Sequence, residues 1–112
     1  MAGRSYLSEF EQLVLLSVLR LGDSAHGGEI RRHLAEVANR PVAVATVYVA
    51  LARLEERGLV RSWMSEPTPV RGGKAKKFYA LEPRGVETLG EAKAVWERMW
   101  SGLGSALDAG GT

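Results

Sequence analysis

The stretch Pro41–Trp63, PVAVATVYVALARLEERGLVRSW, decides how the chain is read. It predicts a helix over 43–57 that buries one side, stops at Gly58 and turns into a strand. Val47, Leu51 and Leu54 stand at i, i+4 and i+7, which puts them on one side of an α-helix. Thr46, Tyr48, Val49, Ala52, Arg53 and Glu56 fall on the other sides. A helix that needs only to be soluble would alternate Glu and Lys there; this one offers small residues, a hydroxyl, a phenol and a guanidinium. Gly58 takes the C′ position, where a left-handed residue closes the helix, and Leu59 follows to pack back on the core. A thin, mixed outer face suits a DNA major groove, because small residues let the backbone approach while a few polar side chains reach base edges. A third core helix of a small bundle also fits this stretch. The flanking segments have to separate the two.

Upstream, Ser8 and Glu11 form a capping box with Leu7 before it, and a first helix runs over about 9–21 to Gly22. Phe10, Leu13, Val14, Leu16, Ser17, Val18 and Leu21 make a broad stripe, with Leu15 and Leu19 off it. An amphipathic helix needs one stripe, so this one asks for cover on two sides. A second subunit is one source of that cover; a central place in a monomer is the other. Gly22-Asp23-Ser24 reads as a turn. A second helix follows from His26 or Gly27 to Val37, with Ile30, Leu34 and Val37 inward, and Asn39-Arg40-Pro41 breaks it. Two short helices in tight sequence, the second with the open face described above, make a helix-turn-helix.

Downstream, 59–64 and 76–81 read as the strands of a hairpin whose tip is Arg71-Gly72-Gly73-Lys74. Arg71, Lys74, Lys76 and Lys77 crowd four cations into seven residues, which suits a wing against phosphates. A solubilising loop is the plainer account. Pro83 opens a last helix, predicted over 84–103, on which Val86, Leu89, Ala92, Trp96, Met99 and Leu103 keep close to a heptad seam widened by Trp100 and Leu107. Such a helix wants a partner. Residues 1–82 are thus expected to form a winged helix-turn-helix domain and 83–107 a dimerisation helix in the same unit. Residues 108–112 are expected to be a disordered tail. The fold class is α+β, mainly α.

The bulk numbers narrow the function classes. The 112 residues are 46% hydrophobic and 25% charged, the make-up of one ordinary globular domain. There is no cysteine, hence no disulfide framework, thiolate zinc site or cysteine nucleophile. The longest apolar run is too short to span a bilayer, and the N-terminus lacks the pattern of a signal peptide, so a cytoplasmic location is expected. Net charge is only +2, but residues 31–84 hold eleven basic against five acidic residues, while 1–30 and 85–112 each hold two against four. A basic middle between acidic ends fits a domain whose centre meets a polyanion. His26 and His33 are seven apart without an intervening ligand set, and Gly27-Gly28 lacks the spacing of a phosphate loop and reads as close helix packing. Neither a catalytic constellation nor a metal or cofactor site is expected, and no enzyme.

Several of these segments resemble the PadR-like transcriptional regulators, in particular the compact class with one C-terminal helix. The motifs are FEQLVLLSVL in the first helix, HGGEI opening the second, TVYVALARLEERGLV, the basic strand KAKKFYAL and EPRGVETL opening the last helix; together they cover roughly residues 7–90. The resemblance implies a homodimeric DNA-binding regulator, usually a repressor, in which the last helix of each subunit packs on the first and last helices of its partner. It also implies, for some compact members, an aromatic-lined pore at the dimer centre that takes planar hydrophobic compounds between tryptophans. Trp96 and Trp100 are the candidates here; plain dimer core is the other reading of them.

Three positions depart from the family pattern: Ala43 stands where a Ser or similar cap is common, Val49 where Pro is, and Ala52 where Lys or another polar residue is. Direct base contacts are then expected from Thr46, Tyr48 and Arg53 alone, with phosphate contacts and DNA shape carrying more of the specificity. Arg71, Lys74, Lys76 and Lys77 are expected to grip the backbone of double-stranded DNA, with Arg31 and Arg32 adding phosphates. Leu15, Leu19, Leu89, Trp96, Met99, Trp100 and Leu103 are expected at the dimer interface. The alternative is a winged-helix module that binds another protein, although such a module has no need to gather these cations on one face.

Overall fold

The structure is a computed structural model that describes residues 6–66 and 75–110. Helix α1 (Glu9–Leu21) begins at its capping box: Ser8 Oγ accepts the Glu11 N–H at 3.1 Å, and the Glu11 carboxylate accepts the Ser8 N–H at 2.8 Å. A 3-10 turn over Gly22–Ser24 leads to α2 (Gly27–Glu36), and α3 (Val44–Glu56) follows. Strands β1 (Val60–Met64) and β2 (Lys77–Leu81) pair antiparallel with Val60 opposite Leu81 and Trp63 opposite Phe78. The Tyr79 N–H also donates to the Ala25 carbonyl at 2.9 Å, and His26 bridges to Phe78, so the turn before α2 lies along the outer edge of β2. Sequence pattern did not show this third rung, since it has no strand periodicity of its own.

The core is built from one edge of each helix: Val14, Leu15 and Val18 of α1, Ile30 and Leu34 of α2, and Val47, Ala50, Leu51 and Leu54 of α3. Leu59, Val60, Tyr79 and Leu89 close it. The predicted inner face of α3 is therefore the observed one. Ala43 caps this helix without a side-chain hydrogen bond, as the missing hydroxyl requires. At its other end Gly58 has φ +75°, its N–H donates to Glu55, and the Leu59 N–H donates to Leu54 at 3.0 Å; the pair of bonds is a Schellman motif.

Several expectations are corrected. Leu15 is not an outward residue of α1: it is fully buried in the chain's own core, and Leu89 is nearly so. The uncovered side of α1 is Leu16 with Leu19, at 41% and 54% exposure. The stripe counted from sequence was centred one residue off, an easy slip where almost every residue is apolar. Val37 is exposed rather than inward, because α2 ends at Glu36 and Val37 lies beyond the core as its cap. His33 is not merely solvated. Its Nδ1 lies 2.8 Å from the buried Ser17 hydroxyl, and Arg20 Nε donates to its Nε2 at 3.0 Å. A guanidinium can only donate, so Nε2 accepts and Nδ1–H serves the Ser17 oxygen, which joins α1 to α2.

The last helix is shorter than expected. Helix α4 (Pro83–Trp100) stops before Gly102, which takes φ +79°, and a further short helix, α5 (Gly104–Gly110), includes residues placed in the tail by sequence. Glycine both costs helix stability and permits the left-handed turn that ends it. The first half of α4 packs on α1 and β2 through Gly85, Thr88 and Leu89, whereas every residue from Val95 to Trp100 is exposed. The radius of gyration is 16.7 Å, against about 13 Å for a compact chain of this length, because that half projects from the body.

Gly85 has a specific packing reason. A Cβ there would strike the Leu59 carbonyl oxygen, which already accepts the Glu82 N–H at 2.9 Å. Gly85→Ala should therefore lower stability by about 1–3 kcal/mol, the usual cost of overpacking, despite the better helix propensity of alanine. Denaturant unfolding of the two proteins measures it; an unchanged or raised midpoint would mean that α4 does not sit this close to Leu59.

Candidate nucleic-acid interface

The exposed side of α3 follows from its buried side. At about 100° per residue, Ala45, Val49, Ala52 and Glu56 point directly away from the core. Thr46 and Arg53 lie on one flank and Tyr48 on the other, so the three polar residues expected to read bases are not gathered on one line. Thr46 and Arg53 line a groove of about 280 Å³ together with Ser8, Phe10 and Glu11 at the start of α1. The Tyr48 ring instead lies across Gly27 in the first turn of α2. Glu55 is on that same side and accepts the Ser62 hydroxyl at 2.8 Å, tying α3 to the wing. All three polar side chains remain exposed, Tyr48 at 42%.

The cations divide by whether the fold uses them. Arg40 pairs with Glu9 at 2.8 Å, and Arg61 with Glu82 at 3.2 Å. Arg57 reaches Glu11 at 3.4 Å and donates to the Tyr6 carbonyl at 2.8 Å, holding the chain before α1 against the end of α3. Arg32 is tied to Glu29 at 2.8 Å, an exposed pair within one helix that contributes little. Among the described residues, the side chains of Arg31, Arg53 and Lys76 make no hydrogen bond or ion pair, and Lys77 only approaches the Tyr79 ring, at 6.0 Å. Arg71 and Lys74 lie outside the described residues. Arg84 and Arg98 of α4 are likewise without such a partner among the described residues, so the free cations sit on the second helix, the third helix, the wing and the last long helix.

The wing sheet is two-faced. Val60, Ser62, Tyr79 and Leu81 turn inward, while Trp63 stacks on Phe78 on the outer side, ring centres 6.3 Å apart, with His26 edge-on to Phe78. Burial pushes the Tyr79 hydroxyl above the usual phenol range, and neighbouring Tyr48 and Glu55 push it the same way. The sequence showed an aromatic strand but not that one of its rings is a core residue near Tyr48 and Glu55 of α3.

The residues expected at a subunit interface also divide. Leu19, Trp96, Met99, Trp100 and Leu103 are exposed, Met99 at 71%, whereas Leu15 and Leu89 are enclosed by their own chain. Leu16, Leu19, Val86, Leu89 and Trp96 line an apolar groove of about 410 Å³ between α1 and α4. Trp96 also borders a second groove of about 200 Å³, with Tyr6, Leu7 and Val95. Trp100, one turn further along, lines neither. Among the described residues, no helix is long and apolar enough to cross a membrane, and no cluster of His, Asp or Glu is placed to hold a metal ion.

Two helices in tight sequence, an open-faced third element and a basic hairpin beside it define a winged helix-turn-helix of the DNA-binding kind. Residues 15–91 match the transcriptional regulator PadR-like family, and the chain belongs to it. A PadR family transcription regulator from hypervirulent Clostridium difficile R20291 is 25% identical, with a TM-score of 0.68 over 88% of this chain and 98% of that one. A padr family transcriptional regulator from Eggerthella lenta DSM 2243 is 30% identical, with a TM-score of 0.65 over 88% and 86%. No curated protein matches the chain. The chain is a DNA-binding transcription regulator, and its family and structural relatives are regulators rather than enzymes.

The buried Tyr79 phenol gives a pH test of the contact between α3 and the wing. Its raised pKa means that folding holds the proton, a stabilisation fully present below the unfolded value of 10.0. Above that, the unfolded chain loses the proton first and stability falls until the folded phenol ionises as well. The denaturant midpoint should drop as pH rises past 10.0, and Tyr79→Phe should make the drop shallower. Parallel curves for the two proteins would show that Tyr79 is not enclosed in this way.

Proposed function

We propose that the chain acts as a symmetric homodimer on a roughly palindromic operator, most simply as a repressor. In this reading α3 of each subunit enters the major groove while the wing follows the adjacent backbone. The observation that carries it is where the cations stand: Arg40, Arg57 and Arg61 join elements through carboxylates, while Arg31, Arg53, Lys76 and Lys77, on elements that border one another, lack a carboxylate partner among the described residues, as Arg84 and Arg98 of α4 also do. Thr46, Tyr48 and Arg53 take the base edges or nearby phosphates; Lys76, Lys77, Arg31 and Arg32 take phosphates, with Arg71 and Lys74 of the wing tip joining them. Like-charged side chains without partners stabilise nothing in the isolated chain, and phosphates give them one.

The dimer rests on the exposed apolar side of α4 and on the groove beside Leu16 and Leu19. Val95, Trp96, Met99 and Trp100 on α4, with Leu103 just beyond it and Leu19 on α1, are too many large apolar residues for an ordinary solvated surface. A small planar hydrophobic or aromatic compound fits the same seam next to Trp96, where its binding would shift the two reading helices relative to one another and release DNA.

Fluorescence anisotropy of labelled DNA from the region upstream of the coding sequence, titrated at several salt concentrations, tests the DNA half. Arg53→Ala should lose about 1–3 kcal/mol on the operator, and less on a scrambled duplex. Lys76→Ala should weaken both duplexes alike and lower the salt slope by about one. Equal operator affinity for Arg53→Ala and the parent would remove that residue from the reading set. Sedimentation tests the other half: the parent should run as a dimer and the double variant Leu19→Glu, Met99→Glu as a folded monomer. A parent that sediments as a monomer at working concentration would overturn the dimer.

A further inference from the structure

Gly27 is buried in the first turn of α2, and its backbone lies outside the left-handed region. No conformational reason therefore excludes a side chain, and alanine would favour the helix. The obstacle is one residue. A Cβ on Gly27 would overlap the Tyr48 ring at its hydroxyl end, meeting Cζ, the hydroxyl oxygen and, at 2.7 Å, Cε1. The next residue behaves differently: a Cβ on Gly28 would meet only the His26 ring, at the ordinary distance of 3.5 Å. The glycine pair thus contains one position that fits a specific ring and one that does not.

The ring it accommodates belongs to the flank of α3 opposite Thr46 and Arg53. Ala45, Val49 and Ala52, between the two flanks, have no polar atom to offer a base. On that side the phenol is the neutral group able both to donate and to accept a hydrogen bond while exposed, at 42%. A phenol on a free helix surface samples several rotamers, and a contact made from several rotamers discriminates poorly between bases. In the structure the ring lies against Gly27 in one of them.

We propose that Gly27 is a specificity-determining positioning residue: it forms the socket that fixes the Tyr48 phenol for DNA readout without touching DNA itself. The inference rests on the reading in which α3 enters the major groove, and it adds that the neighbouring helix sets where one of its readers points. A side chain at position 27 lifts the ring off α2, so the hydroxyl loses its place while the rest of α3, held by Val47, Leu51 and Leu54, stays.

The test uses the full chain and a fluorescein-labelled duplex selected by the parent protein from a random-sequence pool, with a scrambled duplex of equal composition beside it. The quantity read is the ratio of the two affinities, well below the melting temperature. Gly27→Ala should lower the ratio by roughly threefold to tenfold, as loss of one well-placed hydrogen bond does, with little change on the scrambled duplex. Gly28→Ala should leave the ratio at the parent value. Tyr48→Phe, which keeps the ring on the glycine and removes the hydroxyl, should lower it as Gly27→Ala does. In a Tyr48→Ala background, Gly27→Ala should have no further effect. A parent-like ratio for Gly27→Ala, or an equal drop with and without Tyr48, overturns the socket, since a merely structural glycine changes stability and not discrimination. Should Gly27→Ala fail to fold, Tyr48→Phe decides: a parent-like ratio overturns the proposal and a lowered one supports it. A parent that does not prefer its selected duplex overturns the DNA reading as well, and is recognised before any variant is made.

Discussion

The turn at Leu59 is the constraint on which the other parts of the molecule depend. Its N–H closes α3 by donating to Leu54, its side chain is wholly buried, and its carbonyl accepts the Glu82 N–H at the start of α4. Gly85 then packs against the same carbonyl. One residue therefore fixes the end of the reading helix, the first strand of the wing and the root of α4. Gly58 makes this possible by taking the left-handed conformation that sends the chain straight back into the core. A looser connection would leave α3 and α4 free to change their angle, and with it any relation between the reading face and the projecting half of α4.

That coupling gives physical content to the proposed release by a small molecule. The apolar groove between α1 and α4 is bordered by Leu16 and Leu19 on one side and Val86, Leu89 and Trp96 on the other. Leu89 also belongs to the core that holds α3. Packed side chains at near-crystal density do not deform continuously, so on the proposed reading a ligand wedged beside Trp96 would move α4 as a body. Because α4 is rooted on the Leu59 carbonyl, three residues beyond the end of α3, on the proposed reading such a movement would be passed to α3 through that turn as well as through the core.

Much of this was legible in the sequence because each element has its own local signature. The Ser8 and Glu11 box, the Gly58-Leu59 pair and the spacing of Val47, Leu51 and Leu54 each admit one reading, and the structure has all three. The errors fall where local pattern carries no information. Helix α1 is apolar on almost every side, so periodicity could not tell Leu15 from Leu16, and only the packing of α2, α3 and α4 around it decides which is enclosed. The end of α4 turned on whether Gly102 interrupts a helix or is tolerated in one. Ser17, His33 and Arg20 lie on two helices, and nothing in either helix alone pairs them. The candidate site divides in the same way: its residue types were visible, whereas the separation of Tyr48 from Thr46 and Arg53 and the pairing of Tyr48 with Gly27 depend on how helices cross.

The alanines at 45 and 52 and the valine at 49 make the outermost strip of α3 smooth and without polar side-chain atoms until Glu56 at its end. A strip of that kind allows close approach to the floor of a groove and makes favourable contact with thymine methyl groups, but it separates G·C from C·G poorly. Discrimination then falls to the flanks, where Arg53 and the Tyr48 phenol are too far apart around the helix to address one base pair together. On the proposed reading each flank would address its own position, one bordered by the start of α1 and the other by α2. The residues that set specificity on this reading therefore include those that hold the flanks in place, and a helix with few readers depends more on their orientation than one with many.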